Sequence, residues 1–241
     1  MGNQFKGATI GHLSTTAYYR LSLSSLLPNL DKIIYIDSDT LNFKDLSEIY
    51  DLELEDKTYF YGLLDHIELL NELKRLGYYT DKYINSGILL INLKAIRKDF
   101  VEQKIKEFVA THFLEHHEQT AINVICKNAL KILSIKYARF SFNSFKRMIK
   151  YNKKQKKLYQ YKKSELIEGF NEPTLIHFAG RKKPWHKKYK NPNKKYWWYF
   201  AKISCIYHEI LDFYGFKKEE VEELLKNIPN DGGLLKKSFK K

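Results

Sequence analysis

The chain has 241 residues, 44% of them hydrophobic and 15% aromatic, and a formal net charge of +14. That is enough for one sizeable domain, or a domain with an appendage, and too apolar for a chain disordered throughout. Its two cysteines, Cys126 and Cys205, lack CxxC spacing, which argues against a disulfide framework or a structural zinc site and points to a reducing, cytoplasmic compartment.

In chain order, "STTAYYRLSLSSLL" has the apolar spacing of a short helix, capped by Ser14 or Thr15 and closed by Pro28. The start of the chain does not read as a basic-then-apolar leader. "KIIYI" then predicts a strand, and its continuous apolar run suits a parallel strand covered on both faces. "DLSEIYDLEL" predicts a short helix and "TYFYGLLD" a strand ending at Asp65. "HIELLNELKRLG" is helical, with Gly77 as its C-cap. "YINSGILLINL" is another apolar strand, broken at Asn85, Ser86 and Gly87. Its longest apolar stretch falls far below the roughly 18 residues a membrane span needs.

Residues 101–113 have a helical pattern, "HEQTAINVICKN" starts a second helix, and "ALKILSIKY" returns to strand. This alternation predicts an α/β layered sheet. After Tyr137 the composition changes. Residues 146–195 hold 17 Lys and Arg against 3 Asp and Glu, which is the whole surplus, since the rest of the chain carries 25 of each sign. Any acidic partner is to be sought there. A strand-like "PTLIHFAG" and a helical tail to about Leu225 complete the chain, with no internal repeat.

Four features could carry chemistry. In "YIDSDTL", Asp37 and Asp39 lie two apart, so in continued strand geometry both side chains leave on one face at the end of a strand. Two hard oxygen donors there suit Mg²⁺ or Mn²⁺, while a helix N-cap or turn explains the same residues without a metal. In "IHFAGRKKPWH", His177 could complete a metal site, and Gly180 and Lys183 could bind phosphate oxygens; the alternative is a structural histidine beside solvated lysines. Asn85, and then Glu118, Gln119 and Asn123 of "HHEQTAIN", could hold sugar hydroxyls, although Glu118 in a first turn also favours the helix dipole.

Together and in this order, "TTAYYRL", "YIDSDTL", "LLDH", "INSGILLINL", "HEQTAIN" and "IHFAGRKKPWHKK" resemble glycosyltransferase family 8, which includes the bacterial lipopolysaccharide galactosyl- and glucosyltransferases. The resemblance spans about residues 12–190. It implies a nucleotide-sugar transferase fold of the GT-A kind, a mixed and mostly parallel sheet flanked by helices. It also implies a partial catalytic domain over 1–190, followed by a basic, aromatic helical segment over 191–241. The implied activity is retaining transfer of a hexose, glucose or galactose, from a UDP-sugar to a glycan or lipid-linked glycan such as lipopolysaccharide.

By the same resemblance, Asp37, Asp39 and His177 hold Mn²⁺ or Mg²⁺, with Ser38 between the aspartates at the donor. Gly180 and Lys183 contact the diphosphate, and Arg20 lies near the donor. Asp65, Asn85 and Ser86 hold the transferred sugar, and Glu118 and Gln119 lie beside the anomeric carbon, with Asp65, Glu118 and Gln119 as the catalytic set. Thr120 departs from the family, which usually has a second acid after the Gln. Family members begin with a βαβ unit that binds uracil and ribose. About 30 residues precede the DxD strand here and none reads as that unit. The alternative to the implied activity is therefore a partner-dependent remnant, its nucleoside half supplied from elsewhere, or a non-catalytic one.

The lysines from 153 to 195 beside "YWWYF" suit peripheral binding to an anionic inner-membrane face. The alternative is a solvated face with Trp197 and Trp198 packed as helix anchors. A nucleic-acid interface would use the same segment but leaves the other motifs unexplained, so no nucleic-acid partner is expected.

Overall fold

A computed structural model describes residues 15–142, 144–154, 160–226 and 228. The seven strands among the described residues are β1 Lys32–Ile36, β2 Thr40–Asn42, β3 Phe60–Leu64, β4 Ile84–Asn92, β5 Leu130–Ile132, β6 Ala138–Phe140 and β7 Leu175–His177. Helix α1 Leu23–Leu26 precedes β1, and α2 Ser47–Tyr50, α3 Leu70–Arg75, α4 Leu93–Lys98, α5 Val101–Thr111 and α6 His117–Ile125 lie among the first five strands. They are followed by α7 Phe145–Lys154, α8 Lys163–Asn171, α9 Lys194–Ile203, α10 Tyr207–Tyr214 and α11 Lys218–Leu225. Ser14, the proposed first cap, and the lysines at 156 and 157 lie outside the described residues.

The chain divides into two compact units. One takes the residues up to Ile36, Leu46–Leu133 and Lys154–Gln160; the other takes Asp37–Asp45, Ser134–Lys153 and the chain from Tyr161 onward. The first unit is built on a four-stranded sheet in the order β1-β4-β3-β5. The sheet is mixed. β1, β3 and β5 share one direction, but β4 runs against them, so β1–β4 and β3–β4 pair antiparallel and only β3–β5 pairs parallel.

All nine β4 residues are buried, as expected of a central strand in an α/β layer. Helix α5 buries Val101, Ile105, Phe108 and Val109, an i, i+4, i+7, i+8 stripe, against this layer. The Asn92 side chain caps α4 by accepting from Ala95 N–H at 3.0 Å.

Two local expectations are corrected. β1 is half-buried along its length and antiparallel to β4, with no second strand neighbour among the described residues. An apolar run reports burial but carries no information on the direction of the neighbouring strand. β4 is not broken at Asn85-Ser86-Gly87. The irregularity is in its pairing with β3, whose register shifts between Gly62 and Leu64. There Asn123 of α6 bonds the Ile84 backbone twice, with Oδ1 accepting from N–H at 2.7 Å and Nδ2 donating to C=O at 2.8 Å.

The second unit holds the three-stranded sheet β2-β7-β6, in which β2 is antiparallel and β6 parallel to β7. Helices α9, α10 and α11 pack a core of Trp198, Tyr207, Leu211, Phe216 and Val221. In "YWWYF", Tyr196 and Trp198 are buried and Trp197 packs on Trp185 and Tyr214, which corrects the expectation of an interfacial aromatic run. Among the described residues of this region the exposed large apolar ones are Ile203, Ile206 and Phe213, the last 81% exposed. No helix among the described residues is long and apolar enough to cross a membrane.

Candidate functional site

The second unit begins at Asp37. The strand geometry of β1 stops at Ile36, and Asp37-Ser38-Asp39 form a turn into β2. The backbone N–H of Phe178 donates to the Asp39 carbonyl at 2.9 Å, fastening this turn to the end of β7, where His177 sits with 4% of its surface exposed. The turn expected from Asp and Ser propensity and the convergence expected of a metal site are therefore both present. One ligand atom each from Asp37, Asp39 and His177 lies within 4.8 Å of the others. His177 Nε2 is 3.2 Å from Asp39 Oδ1 and 3.9 Å from Asp37 Oδ2. Ser38 is exposed between the aspartates.

The Lys183 ammonium pairs with the other Asp39 oxygen and donates to the Phe178 carbonyl at 3.0 Å. Burial works against ionisation of Asp39, but the hydrogen bond and charge of His177, and then those of Lys183, outweigh it and bring the carboxyl down to about 2. The Lys183-Pro184-Trp185 turn is held from behind, where Trp198 Nε1 donates to the Pro184 carbonyl at 3.3 Å. Gly180 has φ +92°, a region costly for any residue with a Cβ, and faces open space on its Cβ side, so the backbone there is accessible to a ligand. Two carboxylates and an imidazole fit a divalent cation such as Mn²⁺ or Mg²⁺. The buried His177 Nδ1 has no hydrogen-bond partner among the described residues, so no structural contact there commits that nitrogen.

The first unit gathers the remaining residues. Asp65 follows β3, Asn85 and Ser86 lie on β4, and Glu118 and Gln119 begin α6. Asn85 Nδ2 donates to Asp65 Oδ2 at 2.9 Å and to Gln119 Oε1 at 3.1 Å, while Gln119 Nε2 donates to the same Asp65 oxygen at 3.1 Å. Ser86 N–H donates to Gln119 Oε1 at 2.9 Å, and the Ser86 hydroxyl reaches Glu118 and Gln119 at 3.3 Å each. Arg20 donates to the Ser86 carbonyl at 2.6 Å, stacks over Tyr35 and lies 3.6 Å from Glu118, each of those two side chains being 7% exposed. Asn123 is fully buried and committed to the Ile84 backbone and the Gln119 carbonyl at 2.9 Å, so it is a fastener of α6 and not a free sugar ligand.

Further polar residues surround this cluster. Tyr18 OH meets His117 Nδ1 at 3.1 Å; burial, reinforced by the Glu118 charge, pushes the Tyr18 phenol up to about 12. His117 has φ +46° and opens α6. At Thr120, where an acid was expected, the hydroxyl donates to buried Glu72 Oε2 at 2.7 Å and meets Tyr83 OH at 2.8 Å. Glu72 also accepts from the Glu115 N–H at 2.6 Å and pairs with His116 at 2.7 Å. Glu72 sits in an amphipathic helix where an acid reads as solvent-facing, so nothing local signals its burial.

Residues 3–189 match the family model described as Glycosyl transferase family 8. General stress protein A of Bacillus subtilis strain 168 is 28% identical over 200 residues, 80% of this chain and 67% of that protein. The lipopolysaccharide 1,2-glucosyltransferase of Escherichia coli K12 is 28% identical over 192 residues, 76% of this chain and 53% of that enzyme. Among solved structures, the galactosyltransferase LgtC, in complex with donor and acceptor sugar analogs, aligns with a TM-score of 0.64 at 21% identity, covering 92% of this chain and 76% of that one. The chain thus spans from about half to two thirds of the length of these two curated relatives.

Proposed function

Because this chain belongs to glycosyl transferase family 8 and has the GT-A-like mixed α/β fold, we propose that it moves a hexose, glucose or galactose, from a UDP-sugar to a glycan with retention of anomeric configuration. Lipopolysaccharide or another cell-surface glycan, free or lipid-linked, is the proposed acceptor, in keeping with the glucosyltransferase relative. The catalytic region in this proposal is residues 1–190, followed by a C-terminal segment over 191–241 whose described part holds α9, α10 and α11. The observation that carries this reading is the convergence of Asp37, Asp39 and His177 within 4.8 Å, with Lys183 beside them.

Asp37, Asp39 and His177 would hold the divalent cation, which supplies charge neutralisation for a departing diphosphate. The Lys183 ammonium and the open backbone at Gly180 bind phosphate oxygens, and Ser38 faces the donor between the aspartates. Asp65, Asn85 and Ser86 accept and donate to sugar hydroxyls, with Arg20 holding the Ser86 carbonyl and Glu118 in place. Gln119 Oε1 already accepts from Asn85 and Ser86 N–H, so its lone pairs are engaged and it is a poor nucleophile. The favoured step is front-face attack. The acceptor hydroxyl bonds to the anomeric carbon as the carbon–phosphate oxygen bond breaks, and the leaving phosphate takes the hydroxyl proton.

The test is UDP release from a panel of UDP-sugars with Mn²⁺, for the wild type and Asp39→Asn. Release by the wild type with at least one sugar, falling by 10²-fold or more in the variant, is the expected result. Donor binding without UDP release would identify a non-catalytic member of the family, and no donor binding at all would overturn the reading. Binding to an anionic membrane surface on the cytoplasmic side, through the basic segment and the exposed Ile203, Ile206 and Phe213, is part of the same proposal.

A further inference from the structure

Buried polar atoms are nearly always paired, so two orphans facing each other need an explanation. His177 Nδ1 and Thr40 Oγ1 are both shielded from solvent, with no hydrogen-bond partner among the described residues. They lie on adjacent strands at the same register position, Thr40 on β2 opposite His177 on β7, and so on one face of the sheet.

The flanking hydrogen bonds give the kind of pair. Phe178 N–H donates to Asp39 C=O and Phe43 N–H to Thr174 C=O, both at 2.9 Å, at ladder positions an even number of residues apart and each an odd number from Thr40. Thr40–His177 therefore falls at a non-hydrogen-bonded position, where facing side chains come closest, with Cα atoms about 4.5 Å apart. At that spacing a hydroxyl meets the ring nitrogen by rotation of Thr40 χ1, or through one buried water. On the other side of β7 the register partner of His177 is Phe140, whose ring is 6.0 Å away and offers no strong acceptor. The buried Arg139 Nε, also unpaired, belongs to a residue one register position away, on the opposite face.

We propose that Thr40 is the positioning residue of the His177 imidazole, its hydroxyl accepting the Nδ1 hydrogen so that Nε2 presents its lone pair to a cation held with Asp37 and Asp39. This rests on the reading of those three residues as a cation site. A neutral imidazole that ligates through one nitrogen carries its proton on the other, and the group accepting that proton fixes both tautomer and ring angle. Thr40 follows the second aspartate directly, so the turn that carries both carboxylates also carries the group that aims the third ligand.

The test is Mn²⁺ binding by the full chain without donor, read from the electron paramagnetic resonance of free Mn²⁺. Thr40→Val, which keeps the shape and removes the hydroxyl, is expected to weaken binding 10- to 100-fold, and Thr40→Ser to restore it to within about threefold of wild type. Asp39→Asn serves as the control for the site itself. Wild-type binding that is lost in Asp39→Asn but unchanged in Thr40→Val overturns the role of Thr40 alone. No saturable Mn²⁺ binding by the wild type overturns both the site and this inference. A second measurement does not depend on how Thr40→Val folds. Nitrogen-15 resonances of His177 in the Mg²⁺-loaded wild type, assigned with His177→Gln, are expected to show Nδ1 protonated, and an Nε2-protonated ring overturns the proposal.

Discussion

Gln119 has its side-chain amide held at both ends, Nε2 on Asp65 and Oε1 by Asn85 and Ser86. A group fixed in this way orients what touches it, and misplacement by about 1 Å can cost 10²-fold in rate. Gln119→Ala is therefore expected to lower kcat/KM for UDP release by about 10²-fold while leaving Mn²⁺ affinity unchanged, because the cation ligands are other residues. Full activity in the variant would remove Gln119 from the machinery. At this scale the sequence was informative where a residue stands in an ordered motif, as with Asp37, Asp39 and His177. It was silent on Glu72, which is buried because Thr120, His116 and the Glu115 N–H satisfy its oxygens, and those partners lie more than 40 positions away.

At the scale of elements, α6 is tied to α3 by the pairing of His116 with Glu72. The hydrogen bond to Glu72 raises the His116 pKa. Burial opposes the charge on Glu72, but its hydrogen bonds from His116, Thr120 and Glu115 N–H prevail and hold its pKa below the usual value. The raised histidine contributes stability that is complete below about pH 6.5 and fades as pH rises through its folded pKa. The lowered carboxyl contributes stability present above about pH 4.5 and lost as pH falls further. The stability difference between wild type and His116→Gln in urea is thus expected to be largest near pH 5.5 and to shrink toward pH 8. A difference constant over that range would sink this assignment. Of the long elements, β4 was legible as a continuous apolar run and α5 from apolar periodicity. Strands β2 and β6, three residues each, are too short to show any period, and they are recognisable only through their pairing with β7.

Over the whole molecule, the charge surplus is confined to residues 146–195, while the large apolar residues left exposed in and between the described helices α9 and α10 are Ile203, Ile206 and Phe213. Such a chain is expected to pellet with vesicles in proportion to their anionic lipid fraction, to release as salt rises, and to bind less tightly as Phe213→Ser. Pelleting indifferent to lipid charge would remove the membrane from the proposal. Composition revealed the charge asymmetry directly. It left the aromatics open, because residue type cannot tell a Trp anchoring three helices, as Trp198 does, from one reaching into lipid headgroups.

The pairing of Lys183 with Asp39 carries a thermodynamic consequence. An ammonium and a divalent cation are rivals for the same carboxylate, and a diphosphate offers the displaced ammonium a new counter-charge. Cation and donor binding should then be positively coupled, each raising the affinity of the other by the same factor. Lys183→Met is expected to tighten Mn²⁺ binding in the absence of nucleotide and to abolish the further tightening that UDP produces in the wild type. Weaker binding of Mn²⁺ alone by the variant would show that Lys183 supports the cation and does not compete with it. In that coupling the lysine acts as an exchangeable placeholder, one that lets the site discriminate a cation arriving with its diphosphate from a cation arriving alone.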